Sequence, residues 1–321
     1  MMRNHLVLLL LLTVFFGCKN STNQKTARIT EPKTTAKPTV SFTFDDGITY
    51  GIAGFNLAEW NEMILSHLEK ENIQAVFFVT GENKLDTKGQ FLLKSWNDKG
   101  HKIANHSFTH PNFNSEKNSS LLFEEELLKT DSVISKFSNG IKLFRFPYLK
   151  EGGNKLKVDS IRNLLAENNY LNGYVTIDAS DWYINQRLID RIKEKGFDKA
   201  EINRFKDFYL QHLMERANYY EKLSFAMNQK HIDHTLLLHH NLTSALFLGD
   251  LIEKFKSEGW NVISAANAYQ DEVFNEIPQP EFAGESLIWS KAKQSGAFET
   301  SLRYPAEDSR YEKKKMDILG L

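Results

Sequence analysis

Val40-Ser41-Phe42-Thr43-Phe44-Asp45-Asp46-Gly47 alternates apolar with small polar residues and then stops in a turn-forming Asp-Asp-Gly. The alternation predicts a β-strand that delivers two carboxylates at its C-terminal end. Working outward, Asn56 with Glu59 three residues later predicts a capped helix carrying Leu57, Trp60, Met63, Ile64 and Leu68 on one face. The apolar run 75–79, stopped by Gly81, suits a buried parallel strand. Further strands are expected over 102–104, 141–144, 173–177, 235–238 and 261–263, and helical patterns separate most of them. Seven strands with crossover helices predict a parallel sheet, and units of this kind tend to close into a barrel. Such barrels place their active sites at the C-terminal ends of the strands.

The chain has 321 residues, 40 Lys+Arg against 41 Asp+Glu, and 41% hydrophobic residues. This excludes a collagen-like, coiled-coil or wholly disordered chain, and the even charge balance gives no electrostatic case for nucleic acid. A single cysteine excludes a disulfide framework and a cysteine-rich zinc site. Residues 1–18 combine Arg3, an apolar run from Leu6 to Phe16, and Gly17-Cys18. The run is too short to cross a bilayer of ~30 Å as a helix and reads as an export signal. Phe15-Phe16-Gly17-Cys18 resembles a bacterial lipobox, which makes Cys18 the expected lipidation site. Residues 19–38 are rich in Lys, Thr, Ser, Asn and Pro and read as a tether. One folded domain is expected over 39–321.

Residues with chemical capability gather after the expected strands. Asp45-Asp46 follow the first, His106 and His110 the third, Arg145 to Tyr148 the fourth, Asp178 to Trp182 the fifth, and His239-His240 the sixth. Two histidines and a carboxylate suit a catalytic zinc with an open position, and a non-haem iron oxygenase uses the same set. Pro111 argues against a long helix here, so both rings would project from a loop. An Asp-Asp pair can supply one metal ligand and one base, although it can equally be a plain turn. Arg145 could hold that base through a bidentate ion pair. His239, at the end of an apolar strand, is a candidate general acid or a hydrogen-bonded core residue.

Taken together, Thr43-Phe44-Asp45-Asp46-Gly47, His106-Ser107-Phe108-Thr109-His110, Arg145-Phe146-Pro147-Tyr148, Asp178-Ala179-Ser180-Asp181-Trp182 and Leu237-Leu238-His239 resemble five motifs of the polysaccharide deacetylases. These are the NodB-homology domains of carbohydrate esterase family 4, and the resemblance covers about 39–269. It implies an α/β fold, a deformed (β/α)7 barrel, with metal-dependent removal of N- or O-acetyl groups from a glycan. By the same resemblance Asp46, His106 and His110 bind the metal, usually Zn2+. Asp45 is the base oriented by Arg145, and His239 is the acid paired with Asp181. Trp182 walls the pocket, and the Tyr148 backbone N–H donates to the oxyanion.

The chain departs from the family at His240, where relatives often have Asp. It also carries a helical insert over 183–233 and a C-terminal extension over 270–321. The expectation is an exported lipoprotein of the bacterial cell envelope, held to the membrane by its N-terminal lipid and acting on an acetylated polysaccharide. The alternatives are an acetyl esterase on acetylated xylan, a hydrolase of another amide, and a glycan-binding barrel without catalysis.

Overall fold

The structure, a computed structural model, describes residues 36–303 and 309–321. The expected leader, Cys18 and the tether as far as residue 35 lie outside the described residues. Seven strands and ten helices follow in the order β1 (Thr39–Asp46), α1 (Leu57–Lys70), β2 (Val76–Val79), α2 (Thr87–Asp98), β3 (Lys102–Asn105), α3 (Ser120–Ile134), β4 (Gly140–Phe144) and α4 (Lys155–Glu167). Then come β5 (Leu171–Asn172), α5 (Asp181–Lys195), α6 (Ile202–Asn228), β6 (Asp233–His239), α7 (Leu242–Ser257), β7 (Asn261–Val262), α8 (Ala265–Ala268), α9 (Leu287–Ser295) and α10 (Arg310–Leu319). The capping box at α1 forms as expected, with Asn56 Oδ1 accepting from the Glu59 N–H and Glu59 accepting from the Asn56 N–H.

All the strands pair in parallel, in the order β5-β4-β3-β2-β1-β6, with β7 beside the start of β1. The alternation in β1 sorts its side chains between two buried faces. Val40, Phe42 and Phe44 join Phe77, Val79 and the helices in the main core outside the sheet. Ser41 and Thr43 point inward, where their hydroxyls donate to the carbonyls of His234 and Leu236. Only small groups fit there, beside a lesser cluster that includes Val76, Phe78 and Ala104.

The expected strand over 173–177 is replaced by a divided segment. Leu171-Asn172 pair with β4, the Gly173 N–H donates to the Phe144 carbonyl at 2.7 Å, and Ile177 bridges to Leu236 of β6. One short stretch must meet the sheet's two edges, so it cannot hold a continuous ladder with either. The crossing also needs a glycine, because a Cβ on Gly173 would lie 2.4 Å from the Phe78 ring. This divided closure gives the deformed (β/α)7 barrel.

The helical insert is α5 and the 27-residue α6. Phe205, Tyr209 and Tyr220 of α6 are fully buried, which makes them core. Leu287, Ile288 and Ala292 of α9 add to the same core. Among the described residues no helix is long and apolar enough to cross a membrane.

Candidate active site

A cleft of about 570 Å3 opens at the C-terminal ends of the strands and is lined by Asp45, Asp46, His106, His110, Tyr148, Trp182 and His239, among others. Asp45 and Asp46 end β1. His106 extends β3, its N–H donating to the Val79 carbonyl at 2.9 Å. The loop onward to His110 is bent by left-handed residues at Ser107 and His110. Glu126 of α3, buried beneath it, accepts from the N–H groups of Phe108 and Thr109 at 2.7 and 2.6 Å and from the Thr109 hydroxyl at 2.8 Å. That carboxylate fixes the spacing of the two histidines.

The facing atoms of Asp46, His106 and His110 lie within 4.8 Å of one another. Asp46 Oδ1 is 3.7 Å from His106 Nε2 and 3.5 Å from His110 Nε2. His106 Nδ1 lies 2.8 Å from the Arg145 carbonyl, which can only accept, so Nδ1 carries a proton and Nε2 is the ring atom turned to the other two ligands. Burial lowers the His110 pKa to about 4, assisted by His106 and opposed by Asp46 and Asp45. For Asp46, burial acts upward but is outweighed by His239, His106, His110 and Lys84, and the carboxyl is held below its usual value. Two imidazoles and one carboxylate converging in this way fit a divalent metal ion.

Asp45 is almost fully buried. Its Oδ1 accepts from Arg145 Nη1 at 2.6 Å, and its Oδ2 lies 3.7 Å from His106 Nε2. The expected bidentate pair does not form. Arg145 is itself buried inside the barrel, and its remaining donors are taken by the Thr43 hydroxyl, the Gly173 carbonyl and the Tyr269 hydroxyl, with Phe78 stacked 3.9 Å away. With Nη1 shared between Asp45 and Thr43, and Nε and Nη2 turned to Gly173 and Tyr269, the guanidinium meets the carboxylate through one nitrogen, and the second Asp45 oxygen faces the metal ligands.

Across the cleft, Asp181 at the start of α5 is fully buried and meets His239 twice. Oδ1 lies 2.6 Å from His239 Nδ1, and Oδ2 accepts from the His239 N–H at 2.9 Å and from Asn241 Nδ2 at 3.2 Å. Burial lowers the His239 pKa, but Asp181, by charge and hydrogen bond, and then Asp46 and Asp45 raise it to about 10. Asp181 fixes the proton on Nδ1 and leaves Nε2 for the cleft. Tyr148, at φ 55°, is 60% exposed, and its ring rests 4.7 Å from that of His110. Trp182 is 43% exposed.

His240 turns away from the cleft. Its ring packs 4.2 Å from Trp60 and 5.1 Å from Trp96, and its Nε2 lies 3.0 Å from Asn61 Oδ1. The Trp96 indole N–H donates to the same oxygen, which identifies that Asn61 atom as the acceptor and places the His240 proton on Nε2. Burial, helped by Lys84, pushes the His240 pKa well below 6.5, so the ring is neutral and adds no charge beside the acid.

Sequence reasoning missed Glu126, Asn241 and Lys84, which support this site from buried positions, and the partly buried Tyr269. It also missed Glu285, which the C-terminal extension brings to the cleft wall beside Lys150 and Asp178. Burial, then Glu285, raises the Asp178 pKa to about 7.

Residues 32–167 match the family model described as polysaccharide deacetylase. The chain is 29% identical over 147 residues to the peptidoglycan-N-acetylglucosamine deacetylase of Bacillus cereus, a match covering 46% of this chain and 47% of that protein. It is 36% identical over 77 residues to the peptidoglycan-N-acetylmuramic acid deacetylase PdaA of Bacillus subtilis, covering 24% of this chain and 26% of that protein. It thus spans about half, or less, of the length of these curated relatives. The chitin deacetylase of the fungal pathogen Colletotrichum lindemuthianum has the same fold, with a TM-score of 0.52 at 18% identity over 73% of this chain and 88% of that one.

Proposed function

We propose that this chain, which belongs to the polysaccharide deacetylase family, is a metal-dependent hydrolase that removes N-acetyl groups from a cell-envelope or extracellular polysaccharide. Export through residues 1–18 and anchoring at Cys18 belong to the same proposal. The observation that carries it is the assembly, on one cleft, of a three-ligand set, a carboxylate held by an arginine and a histidine held by a buried aspartate.

Asp46, His106 and His110 would hold the ion, with Zn2+ proposed. A bound divalent cation supplies Lewis-acid polarisation of the acetyl oxygen and lowers the pKa of a water in its open position. Asp45 takes the proton of the attacking water on the oxygen that Arg145 leaves free. The Tyr148 backbone N–H donates to the acetyl oxygen as negative charge develops there. His239 gives its Nε2 proton to the departing nitrogen, and Asp181 holds the Nδ1 proton in place meanwhile. Water and the acetamido group thereby become acetate and an amine. Trp182 would flank the sugar.

The test is acetate release from chitin oligomers, peptidoglycan and acetylxylan, each with and without a chelator. Release from an N-acetylated glycan that stops with the chelator is expected. Release confined to acetylxylan would move the reading to an esterase, and release insensitive to chelation would remove the metal.

A further inference from the structure

Asp46 does not follow the strand that carries it. In β1 its register partner is Val79, whose side chain lies in the outer core, and the pleat would send Asp46 there too. Instead the Gly47 N–H donates to the Asp45 carbonyl at 3.0 Å with Asp46 at φ 74°. This is a γ-turn of the rare positive-φ kind, which is strained and persists only where its surroundings enforce it. The turn swings the Asp46 carboxylate toward His106 and His110.

The enforcing group is Lys84, which follows β2 and is fully buried. Its Nζ lies 2.7 Å from the Gly47 carbonyl, 3.0 Å from the Asp46 carbonyl, 2.5 Å from Asn83 Oδ1 and 3.3 Å from the Thr80 carbonyl, four acceptors that share its N–H donors. Among the described residues it makes no salt bridge, so its amino group is buried with neutral oxygens as its hydrogen-bond acceptors, an arrangement that packing alone does not require. The fit is close, since a Cβ on Gly47 would lie 2.8 Å from Lys84 Cε. Thr80 adds its N–H and hydroxyl to the Asp46 carbonyl at 3.2 and 3.1 Å.

We infer that Lys84 is a positioning residue, a clamp that keeps the Asp46 turn strained and so sets the metal-ligand geometry. The inference rests on the metal-dependent reading above. The test uses purified full-length protein. Zinc affinity is measured by competition with a chelating dye, alongside thermal unfolding of the metal-free form, for wild type and Lys84→Met. Met fills similar volume but leaves the Gly47 and Thr80 carbonyls without this donor, so metal-free unfolding should stay cooperative with a lowered midpoint. Zinc affinity should fall tenfold or more, as when the partner that orients a ligand is removed. Wild-type zinc affinity in folded Lys84→Met overturns the clamp. If Lys84→Met shows no cooperative unfolding, Lys84→Gln, which is uncharged and one bond too short to reach the Gly47 and Asp46 carbonyls as the lysine does, is measured likewise; weakened zinc binding supports the clamp and wild-type binding overturns it. A wild type that binds no zinc removes the metal-dependent reading itself, and the clamp with it.

Discussion

Asp45-Asp46 and His239-His240 end neighbouring strands in register, Asp45 opposite His239, yet the two pairs are handled differently. In the histidine pair the pleat is obeyed: His239 faces the cleft and His240 enters the aromatic core. In the aspartate pair it is broken, and both carboxylates reach the cleft because a γ-turn redirects the second. The difference teaches that two adjacent functional residues on one strand end need a backbone irregularity, whereas one functional residue needs none. It also gives adjacent histidines opposite ionisation, since His239 sits against a buried carboxylate and His240 against indoles.

The comparison breaks most sharply at His239. His239→Ala should lower kcat/KM on an N-acetyl oligosaccharide by about 10²–10⁴-fold, because expelling an amine requires the proton that this ring carries. Hydrolysis of an aryl acetate should suffer far less, and metal content should stay near wild type. Equal losses on both substrates would assign His239 a structural role.

His240→Ala should do the reverse. Opening a hole between Trp60 and Trp96 should cost about 3 kcal/mol in urea unfolding, while kcat/KM of the folded fraction stays within about threefold. A large activity loss without destabilisation would bring His240 back into the chemistry.

Stability against pH sharpens the contrast in metal-free protein. His240 is depressed in the folded state, as is His101 at about 4. The unfolded chain therefore binds protons first below pH ~6.5, and stability should fall on acidification, by about 2 kcal/mol per such histidine between pH 6.5 and 5. His239 is raised, so its contribution is complete below pH ~6.5 and is lost as pH climbs toward 10. Urea midpoints across pH 5–10 should show the acid-side fall flattened in His240→Ala and the alkaline-side fall flattened in His239→Ala. Unchanged slopes in both variants would contradict the assigned protonation states.

The smallest effect belongs to Tyr269→Phe, which removes a hydroxyl that accepts from Arg145 Nη2 at 2.8 Å and donates to the Tyr174 carbonyl at 3.1 Å. About 1 kcal/mol of stability should be lost, with a few-fold drop in turnover as Arg145 loosens its hold on Asp45. Turnover at the wild-type level would place the hydroxyl outside the support of the base.

The strand alternation in β1, the Asn56 cap and the placement of reactive residues after strands were legible because each is a local pattern. What escaped depends on closure at long range. The divided fifth strand arises because residues 171–177 meet two sheet edges at once, which no periodicity records. Arg145 touches Asp45 once because Gly173 and Tyr269, distant in sequence, claim its other donors. Lys84, in a short Glu-Asn-Lys turn, carries no local sign of burial, and a lysine in such a turn reads as a surface charge.

The most direct measurement is zinc content together with acetate release for wild type, Asp46→Ala and Asp45→Asn, purified in parallel. Asp46→Ala should lose both metal and activity, because it removes a ligand. Asp45→Asn should keep most of the metal and lose turnover, because it removes only the base. Zinc lost equally from both variants, or turnover surviving in Asp45→Asn, would contradict the division of labour between the two adjacent carboxylates.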